Sequence, residues 1–386
     1  MGCSSGKSQN AVLLGNTSSS LYVLKMQVFE QKESRAALES LDAQQLEFLA
    51  NAYTGPSGHV YAIGSTKEAI TESFHDKKRM HIQTNACANP CANIGLTCRK
   101  GLKPGCPNQD SWMMLRIDSE TAAPFCLYGV FDGHGRQGHE VSDFVKTFLP
   151  KMLLKDEEFG NCLGKEGQER AMKRVLESVF ERLHSFIAIK SRAKGFEAAT
   201  SGTTCTVAIH DIGLNVVHLA NVANSTGVVG VEQDKTWKVD VRTRDHKPNE
   251  GEEKTRIIQS GGRVVFDGYA NHRVYAKHGN LPGLNMSRCL GGLLGHNCGC
   301  TAMPEVYTCK LTSTHRVLLL CSDGIWEFIP PGEALVLVKQ YLEDAPSPQE
   351  AADKLAWEAW SRWIKTEQGQ VVDDITVILV VFDDLG

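Results

Sequence analysis

Residues Phe125–Gly135 read Phe-Cys-Leu-Tyr-Gly-Val-Phe-Asp-Gly-His-Gly. Mostly apolar residues rich in strand formers run straight into Asp132, Gly133, His134 and Gly135, the pattern of a buried strand that ends in a tight turn. The glycines leave room around a carboxylate and an imidazole held at the strand end. A single Asp-Gly turn would carry no chemistry, but three more strand ends repeat the arrangement. Asp110 precedes Ser-Trp-Met-Met-Leu-Arg-Ile, Asp323 follows Val317–Ser322, and Asp373 precedes Asp374-Ile-Thr-Val-Ile-Leu-Val-Val-Phe. Two acids lead into strands and two follow them, so antiparallel pairing would gather all four at one edge. Carboxylates gathered that closely raise one another's pKa, and a divalent cation relieves the repulsion. An all-oxygen ligand set favours Mg²⁺ or Mn²⁺ over zinc or copper.

The totals bound the class of protein. The chain has 386 residues, 42% hydrophobic and 22% charged, with a net charge of −4, as expected of a globular protein of one large or two ordinary domains. Neither that charge nor any basic run suggests nucleic acid. There is no apolar run long enough to span a bilayer and no signal-peptide core. The thirteen cysteines are an odd number without a secretory signal, and read as reduced thiols of a cytoplasmic protein. Cys87, Cys91, Cys98 and Cys106 lack Cys-x-x-Cys spacing, and Cys298 and Cys300 read as loop thiols rather than metal ligands.

Met1-Gly2-Cys3-Ser4-Ser5-Gly6 opens a polar arm over residues 1–20. Gly2 beside Cys3 predicts myristoylation plus palmitoylation, and with it a peripheral membrane location, although Gly6 fills the usual Ser/Thr position and Ser5 stands one place early. Residues 21–58 form a helical extension containing a helix over Glu33–Tyr53, with Leu38, Leu41, Phe48 and Leu49 near one face. Residues 59–386 form the main domain. Within it, Arg99, Lys100 and Lys103 make a basic loop before Asp110, as an anionic phosphoryl substrate would need. Val141, Phe144, Val145, Phe148, Leu149 and Met152 predict one amphipathic helix, and Met172 through Ile187 a second. Ser201–His210, Asn215–Ala220 and Gly227–Glu232 read as strands, with a hairpin-like turn at Asn224–Gly227 between the last two. Arg263–Gly299 reads as a loop or flap. Helices start at Pro331 and Pro348, the latter carrying Trp360 and Trp363 on its core face. Strands come in neighbouring groups with helices gathered in pairs. The fold class is therefore α+β, an antiparallel β-sandwich flanked by helical layers.

In this order the motifs resemble those of the protein phosphatase 2C-like, metal-dependent (PPM) Ser/Thr phosphatases over most of residues 60–383. They are Pro107–Asp110, Phe131–Gly135, Ser201–Thr204, Asp245–Pro248, Arg256-Ile257 with Gly261–Val264, Met286–Arg288, Cys321–Trp326 and Asp373–Val377. The resemblance implies a sandwich fold and a binuclear Mg²⁺ or Mn²⁺ centre. Asp132 would bridge two ions, Asp323 and Asp373 would serve one, the Gly133 carbonyl the other, and Asp110 would contribute directly or through water. Water held between the ions would attack phosphorus in line. His134 would protonate the leaving Ser/Thr oxygen as general acid. The implied partner is a phosphorylated protein, met by a monomer at a membrane surface. The chain departs from the family where Gly-Asp-Ser-Arg becomes Ala223-Asn224-Ser225-Thr226, which predicts a third ion that is weak or absent. It also ends Gly291-Gly292 where Gly-Asp is usual. No arginine upstream of Asp110 matches the family's phosphate ligand, which leaves Arg99, Lys100 or Lys103 to substitute. A pseudophosphatase scaffold is the competing reading, and a phosphatase of small phosphorylated molecules a third.

Overall fold

The computed structural model describes residues 53, 59–67, 70–84, 92–120 and 122–382. The arm, Gly2, Cys3, the body of the Glu33–Tyr53 helix, Cys87 and Cys91 lie outside the described residues.

Two antiparallel sheets are stacked face to face. In one, the strands lie in the order Glu305–Lys310, Val216–Val222, Cys205–Asp211, Phe125–Phe131, Ser111–Asp118, His59–Ser65 and Arg79–Thr84. In the other the order is Thr236–Arg242, Thr226–Gln233, His315–Cys321, Ile375–Val381 and Ile94–Arg99. All seven residues of Phe125–Phe131 are buried, because both faces of this strand are covered. Phe125, Leu127 and Phe131 join the core beneath the helices Gly138–Leu154 and Glu169–Arg192. Cys126, Tyr128 and Val130 point the other way and meet Leu318, Leu320, Ile378 and Val380 of the second sheet. The second sheet repeats the division: Val317, Leu319, Ile375, Val377 and Leu379 face the helices Pro331–Asp344 and Pro348–Thr366. This two-residue alternation produces helix, sheet, sheet, helix layers, and each fully buried Leu, Val or Phe contributes about 1.5–3 kcal/mol.

Two local expectations are corrected. The chain at Asn224–Gly227 is not a hairpin. Val216–Val222 pairs with Cys205–Asp211 in the first sheet, whereas Thr226–Gln233 pairs with His315–Cys321 in the second. The segment is a crossover between sheets, and Ala223 at φ 83° turns the chain out of one plane into the other. The stretch Arg263–Gly299 is more ordered than a loop. Gly262–Phe266, His272–Ala276 and Pro282–Leu284 form a small antiparallel sheet. Its outward positions, Val265 and Phe266 among them, are exposed, so no clean alternation marks it in the sequence.

Buried ion pairs fasten this flap to the sandwich. Glu253 is fully buried and accepts from Arg256 and Arg288, each at 2.6 Å, and from the Ser287 hydroxyl. Burial pushes the Glu253 carboxyl up, but these donors outweigh it and hold it at about 2. Glu305, on the edge strand of the first sheet, pairs with Arg288 and Arg244. Among the described residues every cysteine is free, and no helix is long and apolar enough to cross a membrane.

Candidate active site

Antiparallel pairing delivers the acids to one end of the sandwich. Ser111 lies opposite Phe131 in the first sheet, so Asp110 and Asp132 leave it side by side. Cys321 lies opposite Val377 in the second, which does the same for Asp323 and Asp373. The two ends are stitched together across the sandwich, where Thr376 Oγ1 donates to Asp110 Oδ2 at 2.7 Å.

Asp132 is fixed through its backbone. Its N–H donates to Thr204 Oγ1 at 2.9 Å and its carbonyl accepts from the Thr204 N–H at 2.9 Å. Its carboxyl stands near enough to Asp323 for the two acids to shift one another's pKa. Burial, followed by Asp323, Asp110 and Asp373, pushes the Asp132 carboxyl well above the ordinary range. Burial and then Asp374 push Asp110 up to about 7, while burial and then Asp373 push Asp323 up to about 6. Asp110 Oδ1 is buried without a partner. Crowded acids with an unfilled oxygen form an all-oxygen ligand set of the kind that could hold a hard divalent cation. The backbone is tight here too: a Cβ on Gly133 would lie 2.5 Å from the Gly138 carbonyl.

His134 is half-buried beside Gly202, its partner in the small sheet formed by Gly133–His134, Gly202–Thr203 and Leu290–Gly291. A Cβ on Gly202 would lie 2.7 Å from His134 Nε2, so the glycine makes space for the ring. Neither ring nitrogen has a partner, and burial pushes the imidazole down to about 4.

Asn224 also reaches the acids. Its Nδ2 donates to Asp323 Oδ2 at 2.9 Å, and its Oδ1 is buried without a partner. The preceding Ala223 holds a φ of 83°, a region ordinary for glycine and strained for alanine.

The structure divides the basic loop. Arg99 pairs with Asp353 at 3.0 Å and lies 5.0 Å from the ring of Phe74, committed to the helix Pro348–Thr366. Lys100 is buried, donating to the carbonyls of Gly101 at 2.8 Å and Lys103 at 3.3 Å. These two are therefore occupied elsewhere and do not substitute for the missing arginine. Lys100 also lies 3.9 Å from Asp374 Oδ1, whereas Lys103 is the one of the three that reaches Asp373, its ammonium on Oδ1. Burial pulls Lys103 down, but Asp373 and Asp374 outweigh it and hold its pKa above the ordinary lysine range.

Three supporting residues were not singled out from sequence. Asp374 is buried, and its carboxylate accepts the N–H groups of Gly101 and Gln109, each at 2.8 Å, which fixes both ends of the basic loop. The Asp373-Asp374 pair was the available signal. Lys77 donates to the Asp110 carbonyl, and Asn108 Oδ1 accepts the Asp110 N–H at 2.9 Å. Nothing local in the sequence marks Lys77.

Comparison with known proteins shows which family the chain resembles over most of its length. The family model described as Protein phosphatase 2C matches residues 113–366. The chain is 34% identical over 276 residues to Probable protein phosphatase 2C 61 of Arabidopsis thaliana, covering 70% of this chain and 79% of that one. It is 33% identical over 255 residues to Probable protein phosphatase 2C 72 of the same plant, covering 65% and 75%. Among solved structures, a serine-threonine phosphatase 2C from Toxoplasma gondii superposes with a TM-score of 0.64 at 18% identity, covering 75% of this chain and 94% of that one. A C. elegans sex determining protein gives 0.59 at 21% identity, covering 75% and 64%. These structural likenesses show the fold.

Proposed function

The chain belongs to the protein phosphatase 2C family of protein serine/threonine phosphatases, and we propose that it hydrolyses phosphoserine and phosphothreonine in proteins with the help of two Mg²⁺ or Mn²⁺ ions. The observation that carries this reading is the gathering of Asp110, Asp132, Asp323 and Asp373 at one end of the sandwich by antiparallel pairing, with Asp110 Oδ1 buried and unpartnered, a crowding that cations would relieve. In this reading Asp132, Asp323, Asp373, Asp110 and the Gly133 carbonyl hold the ions. When bound, the ions supply positive charge that polarises the phosphoryl group and activates water.

The chain's own groups do the rest. Asp374 and Lys77 hold the ligand-bearing segments in place. With a cation on Asp373, Lys103 would be free to meet the substrate's phosphate as a point charge. His134 gives a proton to the departing seryl or threonyl oxygen. Its burial keeps it neutral at pH 7 in the free protein, and an arriving phosphate dianion favours the protonated ring. The pattern at Gly2 and Cys3 supports N-terminal acylation and tethering to a membrane surface, testable by metabolic labelling with fatty acids.

The test of catalysis is Mn²⁺-dependent hydrolysis of a phosphothreonine peptide by the purified chain. Asp132→Asn and Asp323→Asn should each remove metal binding and turnover together while the fold persists. A wild-type chain that binds Mn²⁺ but releases no phosphate would be a scaffold instead. Either variant with wild-type turnover would overturn the ligand assignment.

A further inference from the structure

Away from the acid cluster, the two sheets meet along one open side. Glu305–Lys310 is the outermost strand of the first sheet there, and Thr236–Arg242 is outermost in the second. At this seam Asp240, Cys309 and His315 bring three different donor atoms together. Cys309 Sγ lies 3.5 Å from Asp240 Oδ2 and 3.6 Å from His315 Nε2, and the latter two atoms are 3.1 Å apart. A tetrahedral zinc ion bonds sulfur at about 2.3 Å and imidazole nitrogen or carboxylate oxygen at about 2.0–2.1 Å, so its ligand atoms stand roughly 3.3–3.6 Å apart. The three observed separations are close to the edges of that tetrahedron.

We propose that Asp240, Cys309 and His315 form a zinc site that staples the edge strands of the two sheets, with water at the fourth corner. Cys309 and His315 are buried while Asp240 is exposed, so an ion can arrive from the Asp240 side. The donor set selects the metal. Thiolate and imidazole favour zinc, whereas the all-oxygen cluster at the other end favours Mg²⁺ or Mn²⁺. The two sites are also far apart: His315 opens the strand His315–Cys321, and Asp323 follows its far end, about 20 Å away at the rise of an extended chain.

Without the ion, hydrogen bonds hold the three groups. The Thr312 N–H donates to His315 Nδ1 at 2.9 Å, which leaves the imidazole proton on Nε2, directed at Asp240. Burial, and then the Asp240 carboxylate, push the Cys309 thiol up to about 12. Zinc binding therefore needs two proton movements. The thiol proton goes to solvent as the Zn–S bond forms. The imidazole proton shifts from Nε2 to Nδ1, where Thr312 Oγ1 at 3.0 Å accepts it in place of the Thr312 N–H contact. One proton leaves per ion bound.

The experiment uses the full chain with its acid cluster saturated by excess Mg²⁺, titrated with Co²⁺ as a coloured substitute for zinc. A thiolate-to-cobalt charge-transfer band is expected, and because the buried Cys98 thiol lies 3.9 Å from the Asp110 carbonyl, the Cys309→Ser variant is what assigns the band to this site. Cys309→Ser should abolish it, and Asp240→Asn, an exposed edge-strand change that spares the core, should weaken Co²⁺ binding at least tenfold. Zn²⁺ at a hundredfold excess over the wild-type Kd should raise the wild-type Tm by about 4 °C and that of Asp240→Asn by about 2 °C or less. Mn²⁺-dependent turnover should be the same in both variants as in wild type, which separates this test from that of the proposed function. A wild-type chain without the band, an undiminished band in Cys309→Ser, or undiminished affinity in Asp240→Asn would overturn the site.

Discussion

Asn224→Asp turns a hydrogen-bond donor against Asp323 into a second acid. In the native chain Asn224 Nδ2 donates to Asp323 Oδ2 at 2.9 Å, a bond to a charged group worth roughly 1.5–3 kcal/mol. Two carboxylates about 3 Å apart would repel by roughly 5–6 kcal/mol at an effective dielectric constant near 20. The metal-free variant has a cheaper course, which is to take up a proton and keep a hydrogen bond. Protonating an ordinary carboxylate at pH 7 costs about 4 kcal/mol, roughly three pKa units, and this sets the ceiling on the penalty. At about 1.5 °C per kcal/mol for a domain of this size, the metal-free Tm should fall, by ~6 °C at most. Divalent cations should reverse the loss, because the added carboxylate completes a site that Asn224 can serve only with an uncharged oxygen. Thermal melts in chelator and across a Mg²⁺ titration measure both effects, and turnover on a phosphopeptide should rise at moderate Mg²⁺. An unchanged metal-free Tm, or a deficit that Mg²⁺ does not relieve, would refute the reasoning and leave Asn224 as a turn residue only.

Two further outcomes are expected. His134→Ala should leave Mn²⁺ affinity nearly intact and slow phosphoserine hydrolysis by about 10²–10⁴-fold, with a much smaller loss on p-nitrophenyl phosphate, whose leaving group needs little protonation; equal losses on both would make His134 structural. Glu253, held at about 2 between Arg256 and Arg288 against an ordinary value of 4.5, stabilises the native chain above pH 4.5 by roughly 3 kcal/mol, and this is lost as the pH falls from 4.5 through 2. The denaturation midpoints of wild type and Glu253→Gln should therefore converge over that interval, and parallel curves would show that the buried pairing does not set acid stability.

The strand-end acids were legible because each rests on a local pattern. An apolar run with two-residue alternation and a flanking turn places Asp110, Asp132, Asp323 and Asp373 at strand ends, and antiparallel pairing alone then makes them neighbours. The helices begun at Pro331 and Pro348 were legible for the same reason, since a proline in the first turn acts locally. Sheet membership was not. Thr226–Gln233 has the same alternation whether it pairs with Val216–Val222 or with His315–Cys321, and the choice depends on which long-range partner completes the core. The fates of the loop cations were equally hidden. Arg99, Lys100 and Lys103 share a charge and a neighbourhood, yet Asp353, the Gly101 carbonyl and Asp373 divide them according to where each backbone segment points. Asp240, Cys309 and His315 lie on three separate strands with no motif spacing among them, so only the stacking of the two sheets brings their donor atoms together. Sequence determines what a residue does along its own strand or helix, while contacts across the sandwich exist only once both sheets have packed.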